Sequence, residues 1–191
     1  MGIDPMDIAE LRDELEKHHT ASFGWALSCC RRDRVEAEEV LQTVYLKILE
    51  GKARFGGEAT FRTWLFAVIR KTAAGEHRKG LLRKLRFAVS PEQVRESGSA
   101  ADEPANALEK SETRLRFQRA LERLPRRQRE VLHLVFYEAL TVREAGEVMG
   151  VSIGSARQHY ERGKKRLRKY LGQTETDYGV NWKRTENPRA V

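Results

Sequence analysis

Residues 141–171 read TVREAGEVMGVSIGSARQHYERGKKRLRKYL, and their spacing decides the fold of the C-terminal half. Thr141-Val142-Arg143-Glu144 has the form of a capping box, with Thr as N-cap and Glu reaching back from the third helical position. It opens a short helix over 142–149. Gly150-Val151 makes a tight turn, and Ser152 is suited to cap a long helix from Ile153 to about Leu171. Ala145 and Gly146 are small where the first helix must let the second cross closely. Ile153, Ala156, Tyr160 and Leu167 recur at helical spacing as the inward stripe of the second. A short helix, a glycine turn and a long basic helix make a helix-turn-helix.

The outward face of that long helix then follows. Ser155, Gln158 and Arg162 lie at i, i+3 and i+7, with Gly154, Arg157 and Glu161 along the flanks. Gln and Arg side chains bond bidentately to adenine and guanine edges in a major groove, which makes Arg157 and Gln158 the base-reading candidates. Lys164, Lys165, Arg166, Arg168 and Lys169 suit phosphates, which position a protein without reading sequence.

Upstream, a helix holding Val131, Leu132, Leu134 and Val135 is expected to begin at Pro125, whose missing N–H costs nothing in a first turn. Helicity before it runs from near Ala105 through Leu108, Leu115, Phe117, Leu121 and Leu124. Ser97–Pro104 reads as linker, and Ser90-Pro91-Glu92 fits a short turn of helix. The N-terminal part predicts three helices. In the first, Ile8, Leu11, Leu15, Ser22, Ala26 and Cys30 make a stripe flanked by Phe23 and Trp25. The second, about Val35–Glu50, has an apolar face of Ala37, Val40, Leu41, Val44, Tyr45 and Ile48, and a polar one with Glu36, Glu38, Glu39, Gln42, Thr43 and Lys47. A loop over Gly51–Thr60 leads to the third, about Phe61–Lys79, with Phe61, Trp64, Leu65, Val68, Ile69 and Thr72 inward. No strand-like alternation competes, so the fold class is all-α: two small helical domains joined by a flexible acidic linker.

The 191 residues carry a net charge of +8, and its distribution follows the same divisions. Residues 1–50 sum to −5, 51–90 to +8, 91–112 to −4, 113–120 to +3 and 121–172 to +6, with the remainder balanced. Two basic blocks around an acidic spacer fit two polyanion contacts. In the first block aromatics and cations interleave: Phe55, Phe61, Arg62, Trp64, Phe66, Arg70, Lys71, His77, Arg78 and Lys79. Unpaired bases stack on rings for roughly 1–3 kcal/mol each while cations track the backbone. At helical spacing at least two of Phe61, Trp64 and Phe66 belong to the core, leaving Trp64 as the ring at the surface edge. The loop with Phe55, Gly56 and Gly57 has the makings of a receptor for a flipped base.

Other classes are disfavoured. The longest apolar runs, such as Leu65–Ile69, fall far short of the roughly 18–20 residues a bilayer needs, so no membrane insertion is expected. The acidic start has no apolar run after it and does not read as a signal peptide. Met1–Pro5 has the look of a cloning scar. Cys29 and Cys30 are adjacent, about 100° apart on a helix, and fit reduced thiols in a cytoplasmic protein. With His18 and His19 they lack zinc-ligand spacing, so no metal is expected. No glycine-rich phosphate loop, Gly-x-Ser-x-Gly elbow or His-Glu-x-x-His occurs, so neither a cofactor nor an enzymatic activity is expected.

Together these residues resemble a known family. Residues 36–46, EAEEVLQTVYL, and 61–70, FRTWLFAVIR, are similar to region two of bacterial sigma-70 factors. Leu121–Leu167, with LPRRQREVL at 124–132 before the helix-turn-helix, is similar to region four. Having these two regions alone, over roughly 20–172, resembles the extracytoplasmic function (ECF, group IV) branch. The resemblance implies region two over 1–88, an acidic linker over 89–107, region four over 108–172 and a tail over 173–191. It implies that Glu38, Glu39, Gln42 and Leu46 face the β′ coiled coil of core RNA polymerase, with Leu121–Ala139 on the β flap. Phe55, Trp64, Arg70, Lys71, His77 and Arg78 would meet the minus-ten element of promoter DNA, and Phe55's loop would hold its flipped base. Ser155, Arg157, Gln158, Arg162 and Lys165 would meet the minus-thirty-five element. The linker would thread toward the active-site and RNA-exit channels, and an anti-sigma factor is the expected regulator.

There are departures. Arg70-Lys71 and Glu76-His77-Arg78 stand where Arg-Asn and Asp-x-x-Arg are common; Lys71 keeps donors and adds charge. Ala145-Gly146 replaces the usual Ile-Ala, which predicts a looser first reading helix, and Ala156 stands where a β-branched residue is usual. The competing readings are a stand-alone helix-turn-helix regulator with an N-terminal sensor or dimerisation module, and a polymerase-binding adaptor that does not open DNA. Glu38–Leu46 followed by an aromatic-basic helix is a feature that a simple repressor has no reason to carry.

Overall fold

The computed structural model describes residues 6–86 and 108–172, which form eight helices and, among the described residues, no strand. The all-α expectation holds. The expected linker over 89–107, the turn at 90–92, the tail over 173–191 and Met1–Pro5 lie outside the described residues. Two compact units result, one within Met1–Ala100 and one within Ala101–Val191.

The first unit holds α1 (Ile8–Lys17), α2 (His19–Cys29), α3 (Arg34–Leu49) and α4 (Phe61–Arg86). The expected single first helix is two. Asp7 and Glu10 form a capping box that starts α1, and His18 serves both as its C-cap and as the N-cap of α2. The break turns α1 out of the stripe: Leu15 is buried, but Ile8 is 60% exposed. It also moves Trp25 from flank to centre. Trp25 is fully buried beside Phe66, and its indole N–H donates to the Phe66 carbonyl at 3.0 Å. A buried indole needs such a partner, because the unpaired group would be stranded away from water.

Asp33 caps α3 by accepting from the Glu36 N–H at 3.0 Å. The helix buries Ala37, Val40, Leu41, Val44 and Ile48, with Tyr45 half-buried, as its periodicity predicts. The fourth helix buries Phe61, Leu65, Phe66, Ile69, Thr72 and Ala73. It continues to Arg86, beyond the expected end at Lys79. Gly80 weakens a helix without ending it, and the Leu81-Leu82-Arg83 that follows favours helix.

The second unit holds α5 (Leu108–Glu122), α6 (Arg126–Phe136), α7 (Val142–Met149) and α8 (Ile153–Gly172). Pro125 is the N-cap of α6 rather than its first residue: at ψ 142° its backbone is extended, and helical geometry begins one residue later. Val131, Leu132 and Leu134 are fully buried against the other helices, and Val135 is only half-buried.

Candidate nucleic-acid interface

The helix-turn-helix is built by its ends. Thr141 Oγ1 accepts from the Glu144 N–H at 3.2 Å, and Glu144 Oε2 accepts from the Thr141 N–H at 2.7 Å, completing the expected box. Gly150 ends α7 in the left-handed region at φ +63°, where a Cβ would be strained. Ser152 Oγ accepts from the Ser155 N–H at 3.2 Å and so caps α8. The Arg127 guanidinium donates to the Met149 carbonyl at 3.0 Å, satisfying one of the last α7 acceptors.

Packing at the crossing uses both small residues: Ala145 and Gly146 are buried, and a Cβ on Gly146 would lie 3.2 Å from the Ala156 Cβ and 3.3 Å from the Val151 carbonyl. The two small departures fit each other. A second close approach was missed in the sequence. Gly163 is buried against α6, where a Cβ would stand 3.1 Å from Leu132 Cδ1 and 3.3 Å from Gln128 Cβ. Its place between Tyr160 and Leu167 on the inward stripe was the available signal.

With that face buried, Ser155, Arg157, Gln158, Arg162 and Lys165 are all exposed along α8. Two of the five cations assigned to phosphates have internal duties. The Lys164 ammonium lies 4.9 Å from the Tyr160 ring centroid and 3.6 Å from Glu161, and Arg166 donates to Gln128 Oε1 at 3.3 Å.

In the first unit two surfaces stand out. On α3, Glu38, Glu39, Gln42 and Leu46 are exposed, Leu46 at 58%. Val35 and Leu49 join them at 62% and 37% exposure. Positions 35, 39, 42, 46 and 49 alternate steps of four and three, the seam spacing of helices that pack against a partner helix. Neither apolar residue was singled out from sequence, because the charged positions between them dominated that face.

On α4, Trp64, Lys71 and Arg78 are seven residues apart and share a line, with Arg70 and His77 next to it. Lys71, His77 and Arg78 are exposed; Trp64 and Arg70 are half-buried. Arg78 Nε donates to the Ala74 carbonyl at 3.2 Å. Phe55 is half-buried and not a free ring: it sits 5.5 Å from Phe61 and 5.4 Å from Trp64, which are 5.3 Å from each other. The loop over 51–60 is thereby pinned to the start of α4. Lys47 Nζ donates to the Thr72 hydroxyl at 3.3 Å, tying α3 to α4.

Cys30 is buried and its thiol is pushed up to about 12, first by burial and then by the Glu36 and Asp33 carboxylates, so it stays a protonated core residue. Among the described residues no group of three or more His, Cys, Asp or Glu is placed to hold a metal ion. No helix among them is long and apolar enough to cross a membrane.

Comparison with known proteins agrees with both units. The sequence models for sigma-70 region 2 and sigma-70 region 4 match residues 15–80 and 120–169. The chain is 27% identical over 144 residues to the ECF RNA polymerase sigma factor SigX of Bacillus subtilis, covering 73% of each protein. It is 26% identical over 172 residues to the ECF RNA polymerase sigma factor SigM of Mycobacterium tuberculosis, covering 90% of this chain and 82% of SigM. The fold matches that of the sigma factor RpoE, solved with the anti-sigma factor NepR from Bartonella quintana. There the TM-score is 0.67 at 22% identity, over 86% of this chain and 98% of that one. The chain belongs to the sigma-70 family, in its extracytoplasmic function branch, and directs RNA polymerase to promoters.

Proposed function

We propose a division of labour along the chain. Residues 1–88 hold core polymerase and the minus-ten element, 89–107 are the connecting acidic linker, 108–172 read the minus-thirty-five element, and 173–191 are a tail. On this reading Glu38, Glu39, Gln42 and Leu46, with Val35 and Leu49 completing the seam, meet the β′ coiled coil. The observation that carries it is the exposed seam on α3, whose opposite face is committed to the core. A dimerisation helix would present a similar seam, and the match of residues 15–80 to sigma-70 region 2 favours polymerase over a second copy as what meets it. Trp64, Arg70, Lys71, His77 and Arg78 lie along the melted strand, and Phe55 lines its base-receiving loop. Ser155, Arg157, Gln158 and Arg162 face base edges while Lys165 meets phosphate. The protein acts in the cytoplasm and carries out no reaction of its own, leaving synthesis to the polymerase.

Its regulator, on the same reading, is an anti-sigma factor. RpoE is in complex with NepR, and CnrH, which matches with a TM-score of 0.59 at 18% identity, is in complex with the cytosolic domain of CnrY.

Reconstituted transcription with core polymerase and fragments selected from random DNA tests the proposal. Selective transcripts are expected; a chain that binds duplex DNA but neither binds core nor yields selective transcripts would refute it. Within that assay Gln158→Ala should change which minus-thirty-five bases are preferred. Lys165→Ala should weaken all sequences alike and flatten the salt slope by about one. Equal losses across sequences for both variants would remove Gln158 from base reading.

A further inference from the structure

The turn between α2 and α3 is built in an unusual way. Arg31 and Arg32 both take left-handed backbone, at φ +54° and +68°. The Arg32 N–H donates to the Leu27 carbonyl at 2.8 Å, the closing bond of a helix end whose left-handed position normally goes to glycine. The connection from α6 to α7 holds a left-handed Ala139 at φ +50°, but directly after α3 and α7 the same chain places glycine, Gly51 at φ +68° and Gly150 at φ +63°. Here it accepts two strained residues with long cationic side chains, both exposed. Strain held at a surface turn, where glycine would serve the backbone better, points to side chains that are needed.

Their position says for what. The second helix runs alongside α4 in the same direction: the His18 ring stacks on Phe61 at 6.1 Å, and Trp25 bonds the Phe66 carbonyl at 3.0 Å. The end of α2 therefore reaches the middle of α4. Glu36, in the first turn of α3, lies within electrostatic reach of both Arg31 and His77. The neighbouring Asp33 carboxylate is engaged in capping α3. Arg31 and His77 thus stand on either side of Glu36, which places the turn beside the basic face of α4.

We infer that Arg31 and Arg32 form a phosphate clamp for the promoter strand that lies along α4. This rests on the sigma-factor reading above and adds to it two residues on a different element. Arginine forks suit phosphate oxygens, and such contacts give affinity without sequence preference.

The test compares wild-type, Arg31→Gly/Arg32→Gly and Arg31→Ala/Arg32→Ala full-length chains, each with core polymerase and the fragments selected by the wild type. Both double variants should bind core as the wild type does. They should form promoter complexes more weakly on every fragment alike, with a salt slope flatter by about one to two. The glycine pair should melt at or above the wild-type temperature, so that lost function cannot be lost folding. Unchanged slopes and promoter affinity in both variants would overturn the inference. So would a loss confined to core binding, which would make the turn a protein contact. Failure of the wild type itself to form promoter complexes with core would instead bring down the sigma-factor reading, and this inference with it.

Discussion

The two units solve the same problem, burying one face of short helices, with opposite materials. The first is organised around large rings: Trp25 and Phe66 are fully buried, 6.2 Å apart, with the Trp25 indole N–H donating to the Phe66 carbonyl. The second is organised around missing side chains, with Gly146 against Ala156 and Gly163 against Leu132. A ring fills space and tolerates modest shifts around it, whereas a glycine crossing fixes how near two backbones lie. The first device gives a core beneath two broad surfaces. The second gives a rigid reading head, in which α8 is aimed by α6 and α7.

The largest expected effect tests the ring-centred half. Trp25→Ala removes the central side chain and leaves a cavity, at a cost of about 4 kcal/mol to the first unit. Thermal unfolding by circular dichroism should then separate into two transitions, with the lower one assigned to the first unit by its loss of binding to the β′ coiled coil. Both units melting together at a lowered temperature would mean that the two cores are coupled, and an unchanged melt would mean that Trp25 is not the centre of the first.

The next effect belongs to the glycine-centred half. Gly146→Val adds branches where even a Cβ would stand 3.3 Å from the Val151 carbonyl, a backbone atom that cannot swing aside. The expected cost is about 1–3 kcal/mol in the second unit, with duplex binding weakened because α8 is no longer held at its angle. Binding to the β′ coiled coil should stay at the wild-type level. Duplex affinity equal to the wild type would mean that the close crossing does not aim the reading helix.

The same contrast explains what was legible in the sequence. The helix-turn-helix is written in local signals: a capping box at Thr141 and Glu144, a left-handed Gly150, a capping Ser152. Each acts within a few residues, so each can be read without knowing the partner helix. The apolar face of α3 is legible for the same reason. What was missed depends on contacts distant in sequence. His18, where α1 gives way to α2, stacks on Phe61, and Trp25 bonds the Phe66 carbonyl; both partners lie on α4, more than forty positions away. Gly163 matters because of Leu132, and its own neighbours in sequence do not announce it. Among site residues, the exposure of those on α8 follows from its inward stripe. The half-burial of Phe55 depends on Phe61 and Trp64 folding over it. Val35 and Leu49 are hidden among the charged positions of their face until α3 is seen to bury the opposite one.

The smallest expected effect sharpens the comparison of the turns. Ala139, in the connection between α6 and α7, sits at φ +50° and is exposed. A left-handed alanine crowds its Cβ against the backbone at a cost of roughly 1–2 kcal/mol, part of which glycine returns as extra freedom in the unfolded chain. Ala139→Gly should therefore stabilise the second unit by about 0.5 kcal/mol, read as a rise in its unfolding midpoint, with promoter selection unchanged. The substitution at Arg31 and Arg32 relieves the same kind of strain and should shift stability in the same direction, yet it should weaken promoter binding. Strain without consequence at one turn and strain tied to function at the other is the pattern expected when only one of them holds side chains that DNA meets. A loss of stability in Ala139→Gly would show that the left-handed position is not strained by its Cβ, and would remove the physical basis for contrasting the two turns.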